Sequence, residues 1–263
     1  MPTATGSAER HADLWGARAR DWADTEEQQL PTYELGIERA GIGAGDAVLE
    51  VGCGSGVFLR AVADRGARVA GIDAAAPLLD IARERVPEAD LHAGDMQFLP
   101  FGDDEFDAVA GFNSFFFAAD MVAALSEGGR VAKPGAPIVI QVWGPPGRCD
   151  LSAMKTAFHK LLPPPDPDAP QPPPLWKPGV LEEIATAAGL TPDVAFDTAW
   201  AYEYPDDDAL ARAMLAPGLV VEAIRFAGER PVREAILDAL APYRTADGGY
   251  RLQNEWHYLL ARS

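Results

Sequence analysis

The chain has 263 residues, of which 48% are hydrophobic and 24% are charged, a composition typical of a globular protein with room for a sizeable core. Its 40 Asp and Glu residues against 22 Lys and Arg give a formal net charge of −18 at pH 7, which disfavours nucleic acid and anionic membranes as partners. Two cysteines make neither a disulfide scaffold nor a zinc site, and no secretory leader or membrane-length apolar run is present, so we expect no metal and a soluble, cytoplasmic protein.

Two helices are predicted ahead of the first strand, over residues 8–23 and 32–40. In the first of them, Leu14, Trp15 and Trp22 recur on neighbouring turns. Either this aromatic face packs onto the domain or it covers a ligand. The second interpretation makes Trp15 and Trp22 candidates for contact with a substrate.

A glycine-rich turn follows in the stretch V-L-E-V-G-C-G-S-G-V-F-L, which begins at Val48 and ends at Leu59. The apolar run before the glycines predicts a buried strand, and the apolar residues after them predict the start of a helix. Glycine has no Cβ, so it permits positive φ and lets a ligand lie against the backbone, while the helix start offers free N–H groups. The alternative is a tight turn that binds nothing.

The spacing of the glycines separates two cofactor classes. Dinucleotide-binding turns carry G-x-G-x-x-G, whose third glycine would fall at Val57. Here the third glycine is Gly56, so the turn reads E-x-G-x-G-x-G from Glu50. This pattern resembles the first motif of the class I S-adenosylmethionine (SAM) methyltransferases.

Strands and helices then alternate as far as residue 144. After the first strand, further strands are predicted at residues 68–73, 90–93, 106–111 and 137–142. Helices are predicted at residues 57–63, from Pro77 to Val86, and from an N-cap at Asp120 to an early end at Gly128 and Gly129. The alternation predicts a parallel sheet with right-handed crossovers.

Beyond residue 144 the predicted elements are more varied. They are a helix at 151–162, an extended proline-rich connection at 163–174, a helix from Pro178 to Gly189, a strand at 194–204, a helical stretch at 206–241 interrupted at Pro217, Gly228 and Pro231, and a strand at 250–260. Both late strands alternate in polarity, so we expect them to form an antiparallel pair at the sheet edge.

Four predicted loops lie at the carboxyl ends of consecutive parallel strands, where open α/β sheets bind ligands. After the glycine turn, the second loop carries Asp73, which is placed to accept hydrogen bonds from two ribose hydroxyls. The third carries Asp95, which can accept from an adenine amino group, and Met96, which can pack on the ring. The fourth carries Phe112 and Asn113, near the reacting end. Each acidic residue could be a simple cap, but the four loops in register favour a cofactor site.

The resemblance to class I SAM methyltransferases continues through later motifs, over roughly residues 46–144. It rests further on Gly94-Asp95, Leu99-Pro100-Phe101, Phe106-Asp107 and residues 130–135. It is closest to the small-molecule group that includes quinone and natural-product enzymes. This family implies an α/β fold, a Rossmann-like, seven-stranded, mostly parallel sheet with an antiparallel last strand and helical cap insertions.

The resemblance also implies one domain over residues 1–263 and SAM as its cofactor. Residues 46–144 would form the cofactor-binding core, and residues 8–40, 145–178 and 206–241 would form cap segments that contact the substrate. The implied cofactor-binding residues are Glu50, Gly52, Gly54, Gly56, Asp73, Ala74, Asp95, Met96, Phe112 and Asn113.

Methyl transfer needs little beyond holding a nucleophile in line, with a base to help an oxygen or nitrogen acceptor. No residue is predicted as catalytic, because none of the four histidines, His11, His92, His159 and His257, is singled out by its position. The predicted substrate-binding residues, whose aromatic rings could wall an apolar acceptor pocket, are Trp15, Trp22, Phe116 and Trp143.

The predicted function is transfer of a methyl group from SAM to a small organic acceptor, neutral or cationic. The alternative is a methyltransferase-fold protein that binds SAM without methylating, either a cyclase or a regulatory module, because all of these would keep the same loops. Neither the acceptor atom nor the oligomeric state is predicted.

Overall fold

A seven-stranded sheet forms the centre of the structure, a computed structural model that describes residues 8–164 and 171–263. Its strands are β1 (Ala47–Val51), β2 (Arg68–Asp73), β3 (Asp90–Ala93), β4 (Ala108–Phe112), β5 (Pro137–Trp143), β6 (Thr191–Tyr204) and β7 (Tyr250–Arg262). The strand order is β3-β2-β1-β4-β5-β7-β6, with β1 to β5 paired in parallel and β7 antiparallel to both of its neighbours. This architecture confirms the predicted Rossmann-like fold with an antiparallel last strand.

Both faces of the sheet are covered, because successive residues of a strand point to opposite sides. On β1, Val48 joins the hydrophobic cluster that contains Phe58 and Trp256, whereas Leu49 joins the cluster that contains Leu125. All five residues of β1 are buried. The glycine turn that follows β1 therefore starts from a fully buried strand.

The helices that surround the sheet are α1 (Ala8–Gly16), α2 (Ala19–Glu26), α3 (Leu30–Ala40), α4 (Val57–Ala63), α5 (Ala76–Arg85), α6 (Met121–Val131), α7 (Ser152–Phe158), α8 (Val180–Ala187), α9 (Asp207–Met214), α10 (Gly218–Ala227) and α11 (Glu229–Leu240). Some of them, such as α4 and α5, have nearly the predicted bounds. A 3₁₀ turn, Glu27–Gln29, joins α2 to α3.

The first predicted helix, over residues 8–23, is broken into α1 and α2. Arg18, which lies between them, has φ −134° and ψ 43°, outside the helical region. The two halves have different partners, since α1 packs against α10 and α5 while α2 packs against α5 and α9. The bend depends on these tertiary contacts, which hydrophobic periodicity cannot show.

The predicted early end of α6 is wrong. Asp120 caps the helix as predicted, because its side chain accepts a 3.1 Å hydrogen bond from the backbone N–H three residues later. The helix nevertheless continues through Gly128 and Gly129. Glycine costs a helix interior only about 1 kcal/mol relative to alanine, and packing can offset that. A Cβ on Gly129 would lie 2.7 Å from Leu190 Cδ2, so a larger side chain there would crowd its neighbour.

The two late strands pair as predicted, with Trp200 of β6 opposite Asn254 of β7. The helical stretch between them is interrupted at Pro217 and Gly228, but Pro231 lies in the first turn of α11, where a missing N–H costs little. Residues 165–170 of the predicted proline-rich connection lie outside the described residues. Within the described ranges, no helix combines the length and the apolar character that crossing a membrane requires.

Candidate active site

The carboxyl ends of β1 to β4 open into a cavity of about 710 Å³. Small-molecule sites have volumes of this order, with mostly apolar walls and a few polar groups. Each of the three predicted cap segments contributes to the walls, with Trp15 from the first, Met154 from the second and Val220 from the third. The cavity thus lies between the strand-end loops and the helices around them.

The glycine turn forms part of the cavity floor. Gly52 and Gly54 line it, and Gly54 has φ +52°. A Cβ on Gly54 would lie 2.9 Å from both carboxylate oxygens of Glu26, so the backbone is bare where that side chain approaches. Gly56 has a different position, because it caps α4 and a Cβ on it would lie 3.1 Å from Ala82 Cβ. It does not line the cavity; its part is to let α4 pack closely on α5.

Asp73, at the end of β2, holds the glycine turn in place. Its Oδ2 accepts a 2.9 Å hydrogen bond from the Gly54 N–H, and its Oδ1 accepts a 2.8 Å bond from the Ala75 N–H. Burial raises the pKa of Asp73, and the backbone donors oppose that rise. Both Asp73 and Ala74 line the cavity. Each carboxylate oxygen keeps a further lone pair that a ligand hydroxyl can use.

Asp95 follows β3 and presents a buried acceptor. Its Oδ1 accepts a 2.9 Å hydrogen bond from the Gln97 N–H, while its Oδ2 accepts no hydrogen bond from the described residues. Met96 lies beside it on the cavity wall. A buried acceptor without a donor is costly, so a ligand amino group fits this position.

The loop after β4 has a constrained backbone. Asn113 has φ +51°, a left-handed conformation that asparagine tolerates better than most residues. It is held by Gln141, whose backbone oxygen accepts from its N–H at 2.9 Å and whose side-chain oxygen accepts from its Nδ2 at 3.1 Å. Phe112 and Ser114 line the cavity on either side of it. The Ser114 hydroxyl donates a 2.5 Å bond to the Val51 carbonyl, which ties this loop to β1.

Glu50 lies behind the glycine turn and does not line the cavity. It is 1% exposed, and its Oε2 has no hydrogen-bond partner among the described residues. Burial raises the pKa of Glu50 well above its usual range, and the negative charges of Glu26 and Asp73 raise it further. These shifts favour the neutral form of the side chain, which could act on a ligand only through the turn.

The four aromatic residues predicted to contact a substrate, Trp15, Trp22, Phe116 and Trp143, all line the cavity. The rings of Trp15 and Trp22 meet edge to face with centroids 4.7 Å apart. In another part of the lining, Trp143 of β5 stacks on Trp256 with ring centroids 5.3 Å apart. The structure therefore brings together one aromatic wall from α1 and α2 and another from β5.

Several cavity residues were missed from the sequence. Glu26 ends α2, Gln29 ends the 3₁₀ turn that follows, Tyr33 lies on α3, and Tyr202 comes from β6. Burial raises the pKa of Glu26 to about 7. No local pattern singles out these residues. An acidic residue such as Glu26 in a polar helical stretch is normally expected to be exposed to solvent.

Of the histidines, His11 lines the cavity, 5.0 Å from the Phe117 ring, and burial lowers its pKa. The side chain of His159 lies outside the described part of the structure. His257 is buried in β7, with its Nδ1 2.6 Å from Asp197 Oδ1, a structural pair away from the cavity.

Comparisons with known proteins agree with this geometry. A family model described as "Methyltransferase domain" matches residues 49–140, which contain the glycine turn and the loops after β2, β3 and β4. The chain is 32% identical over 272 residues to the uncharacterized protein Rv1405c of Mycobacterium tuberculosis, covering 96% of this chain and 93% of that one. It is 32% identical over 181 residues to a demethylmenaquinone methyltransferase of Mycobacterium sp. (strain KMS), covering 68% of this chain and 69% of the relative.

Solved structures share the fold. The YcgJ protein of Bacillus subtilis superposes with a TM-score of 0.58 at 17% identity, covering 88% of this chain and 97% of that one. At this identity the likeness concerns the arrangement of strands and helices.

Proposed function

Since the chain belongs to the methyltransferase family and is a SAM-dependent methyltransferase, we propose that it transfers the methyl group to a small organic acceptor held in the cavity beside the cofactor. The observation that carries this proposal is the composition of one cavity. Polar groups from four strand-end loops line it together with aromatic side chains from α1, α2, the loop after β4 and β5.

The polar groups of the cavity fit the cofactor. The unpartnered Oδ2 of Asp95 suits the adenine amino group, with Met96 beside the ring, and the Asp73 carboxylate suits the ribose hydroxyls. The bare backbone at Gly52 and Gly54 suits the methionine end. Glu50 and Gly56 would act from behind this surface, through the shape of the turn.

When bound, SAM supplies a methyl group already activated by its sulfonium. The residues of the chain then have to orient the acceptor and exclude water. Trp15, Trp22, Phe116 and Trp143 can do both, because their rings form an apolar wall without competing nucleophiles.

The same walls favour an acceptor with a flat, largely apolar body, such as an aromatic or quinone-like ring. The demethylmenaquinone methyltransferases among the relatives act on an acceptor of this kind by their name. Because relatives with assigned names are methyltransferases, methyl transfer is favoured over a cyclase or a regulatory module.

The test is a screen of ring-bearing acceptors with methyl-labelled SAM and purified protein, read by mass spectrometry. We expect at least one acceptor to gain the label, with stoichiometric S-adenosylhomocysteine. Rearranged but unlabelled product would support the cyclase instead, and tight SAM binding without turnover across the panel would favour the regulatory module.

A further inference from the structure

Glu26, the last residue of α2, places a carboxylate directly against the glycine turn. It is 3% exposed and lines the cavity. Its Oε2 accepts hydrogen bonds from the Ser55 N–H at 2.9 Å and from the Ser55 hydroxyl at 2.7 Å. Both carboxylate oxygens approach the space where a Cβ on Gly54 would lie. An acidic side chain from the N-terminal cap therefore lies on the ligand face of the turn.

This end of the cavity collects three acidic side chains, and no cationic side chain of the described residues pairs directly with Glu26. Glu26 and Glu50 are buried and Asp73 is half-buried; Glu26 and Asp73 both raise the pKa of Glu50, and Asp73 also raises the pKa of Glu26. Arg85 approaches from α5, but it donates to the Ser55 carbonyl at 2.8 Å and pairs with Glu27 at 2.8 Å. A buried carboxylate is costly without a partner, so a cationic ligand group is what this end lacks.

Gln29 provides a second, independent sign of a ligand. It is 4% exposed, it lines the same cavity, and its Oε1 has no hydrogen-bond partner among the described residues. Residues three apart on a helical turn lie on the same face, so the side chains of Gln29 and Glu26 both face the cavity. A carboxylate and an amide oxygen side by side match an ammonium group, which has three donors and no acceptor.

We propose that Glu26, with Gln29 beside it, binds the α-ammonium group at the amino-acid end of the cofactor. The inference rests on the proposed function, because it takes the methionine end to lie over the glycine turn. It adds that the N-terminal cap recognises this end directly. Binding of the ammonium group would then hold α2 on the turn, so cap closure and cofactor binding reinforce each other.

The experiment compares two ligands in two variants by calorimetry. S-adenosylhomocysteine carries the ammonium group, and 5′-methylthioadenosine lacks the whole amino-acid end. Glu26→Gln keeps an acceptor for Ser55 but removes the charge. Glu27→Gln is the matched control, because Glu27 is the next residue, pairs with the same Arg85 and has a side chain that is 64% exposed.

In Glu26→Gln we expect the Kd of S-adenosylhomocysteine to rise about 10- to 100-fold, as the loss of a charged hydrogen bond implies, with the Kd of 5′-methylthioadenosine nearly unchanged. Glu27→Gln should leave both values as in the wild type. Equal weakening of both ligands in Glu26→Gln would mean that Glu26 only supports the turn, and an unchanged Kd for S-adenosylhomocysteine would also overturn the proposal. If the wild type binds neither ligand, the proposed function itself fails.

The pH dependence of the wild type gives a second readout that needs no variant. Burial raises the pKa of Glu26 to about 7, and only its ionised form pairs with an ammonium group. The groups around it are Ser55 on the turn, Arg85 on α5, Asp73 on β2, Glu50 on β1, and the two hydroxyl-bearing residues Tyr33 and Tyr202. S-adenosylhomocysteine should therefore bind more tightly at about pH 8 than at about pH 6, and 5′-methylthioadenosine should not. Parallel pH profiles for the two ligands would contradict the proposal.

Discussion

At the scale of single residues, Asp73 has two tasks, because it faces the cavity and also binds the Gly54 and Ala75 N–H groups. We predict that Asp73→Ala weakens S-adenosylhomocysteine binding by roughly 2–4 kcal/mol, from the loss of charged hydrogen bonds to the ligand and of the turn geometry. Calorimetry measures this directly. Wild-type affinity in the variant would show that Asp73 neither binds the ligand nor shapes its site.

Asp73→Asn tests the second of these tasks, the binding of the Gly54 and Ala75 N–H groups. An asparagine has one acceptor oxygen, so its amide nitrogen would face the N–H of either Gly54 or Ala75, and two donors would meet. The sequence alone suggests a mild effect for this substitution, since one acceptor remains. The structure predicts a loss of affinity close to that of Asp73→Ala, together with a lower melting temperature, and full retention of both would contradict the observed hydrogen bonds.

The residues of the site differ in how readily the sequence predicts their role. Asp73 and Asp95 are predictable because each follows a recognisable strand at a fixed distance from the glycine turn. Glu26 is not, since its burial comes from the way α2 lies across the turn. Tyr202 could not be predicted for a similar reason. The alternation along β6 shows which residues share a face, but it does not show which of them borders a cavity.

At the scale of elements, α6 shows how packing overrides a local signal. A Cβ on Gly128 would meet nothing closer than 3.7 Å, whereas one on Gly129 would lie 2.7 Å from Leu190. We predict that Gly128→Ala raises the free energy of unfolding by about 0.5–1 kcal/mol, because alanine has the better helix propensity. Gly129→Ala should give no such gain, because Leu190 must move.

Chemical denaturation of the two variants beside the wild type measures both changes. An equal gain from both substitutions would mean that Gly129 has no packing role. A loss of stability in Gly128→Ala would mean that α6 does not continue past the glycines.

Most elements were predictable because a strand or a helix of this family has a clear period and clear end signals. The bounds of β2, β3 and α4 are those predicted, since a glycine or a charged residue stands at or next to each of their ends. The break between α1 and α2 was not predictable, because the same apolar spacing serves one helix or two. Contacts with α5, α9 and α10 decide between them.

At the scale of the whole molecule, the first and third cap segments are joined by exposed ion pairs. Ion pairs join α1 to α10, between Arg10 and Glu222 at 2.8 Å and between Asp13 and Arg225, and Arg18 pairs with Glu229 on α11. Pairs as exposed as these contribute little each and are screened by salt. The caps are thus joined in a way that permits opening, and we propose that residues 8–40, 145–178 and 206–241 close together over bound ligands.

Hydrogen exchange with and without S-adenosylhomocysteine tests this closure. We predict that protection rises in residues 8–26 and in at least one later cap segment, beyond the rise in the four strand-end loops. Raising the salt concentration to about 1 M without ligand should lower protection in α1, since screening weakens its ion pairs. If only the loops respond and α1 is already fully protected, the caps form a rigid wall and do not act as a lid.

The central claim is that one cavity holds the cofactor along four strand ends and under the N-terminal cap. The most direct measurement is an experimental structure of the complex with S-adenosylhomocysteine. We predict its adenine beside Asp95 and Met96, its ribose hydroxyls on Asp73, and its ammonium group within hydrogen-bond distance of the Glu26 carboxylate. A ligand bound in another place, or one whose amino-acid end lies away from Glu26 and the glycine turn, would contradict the claim.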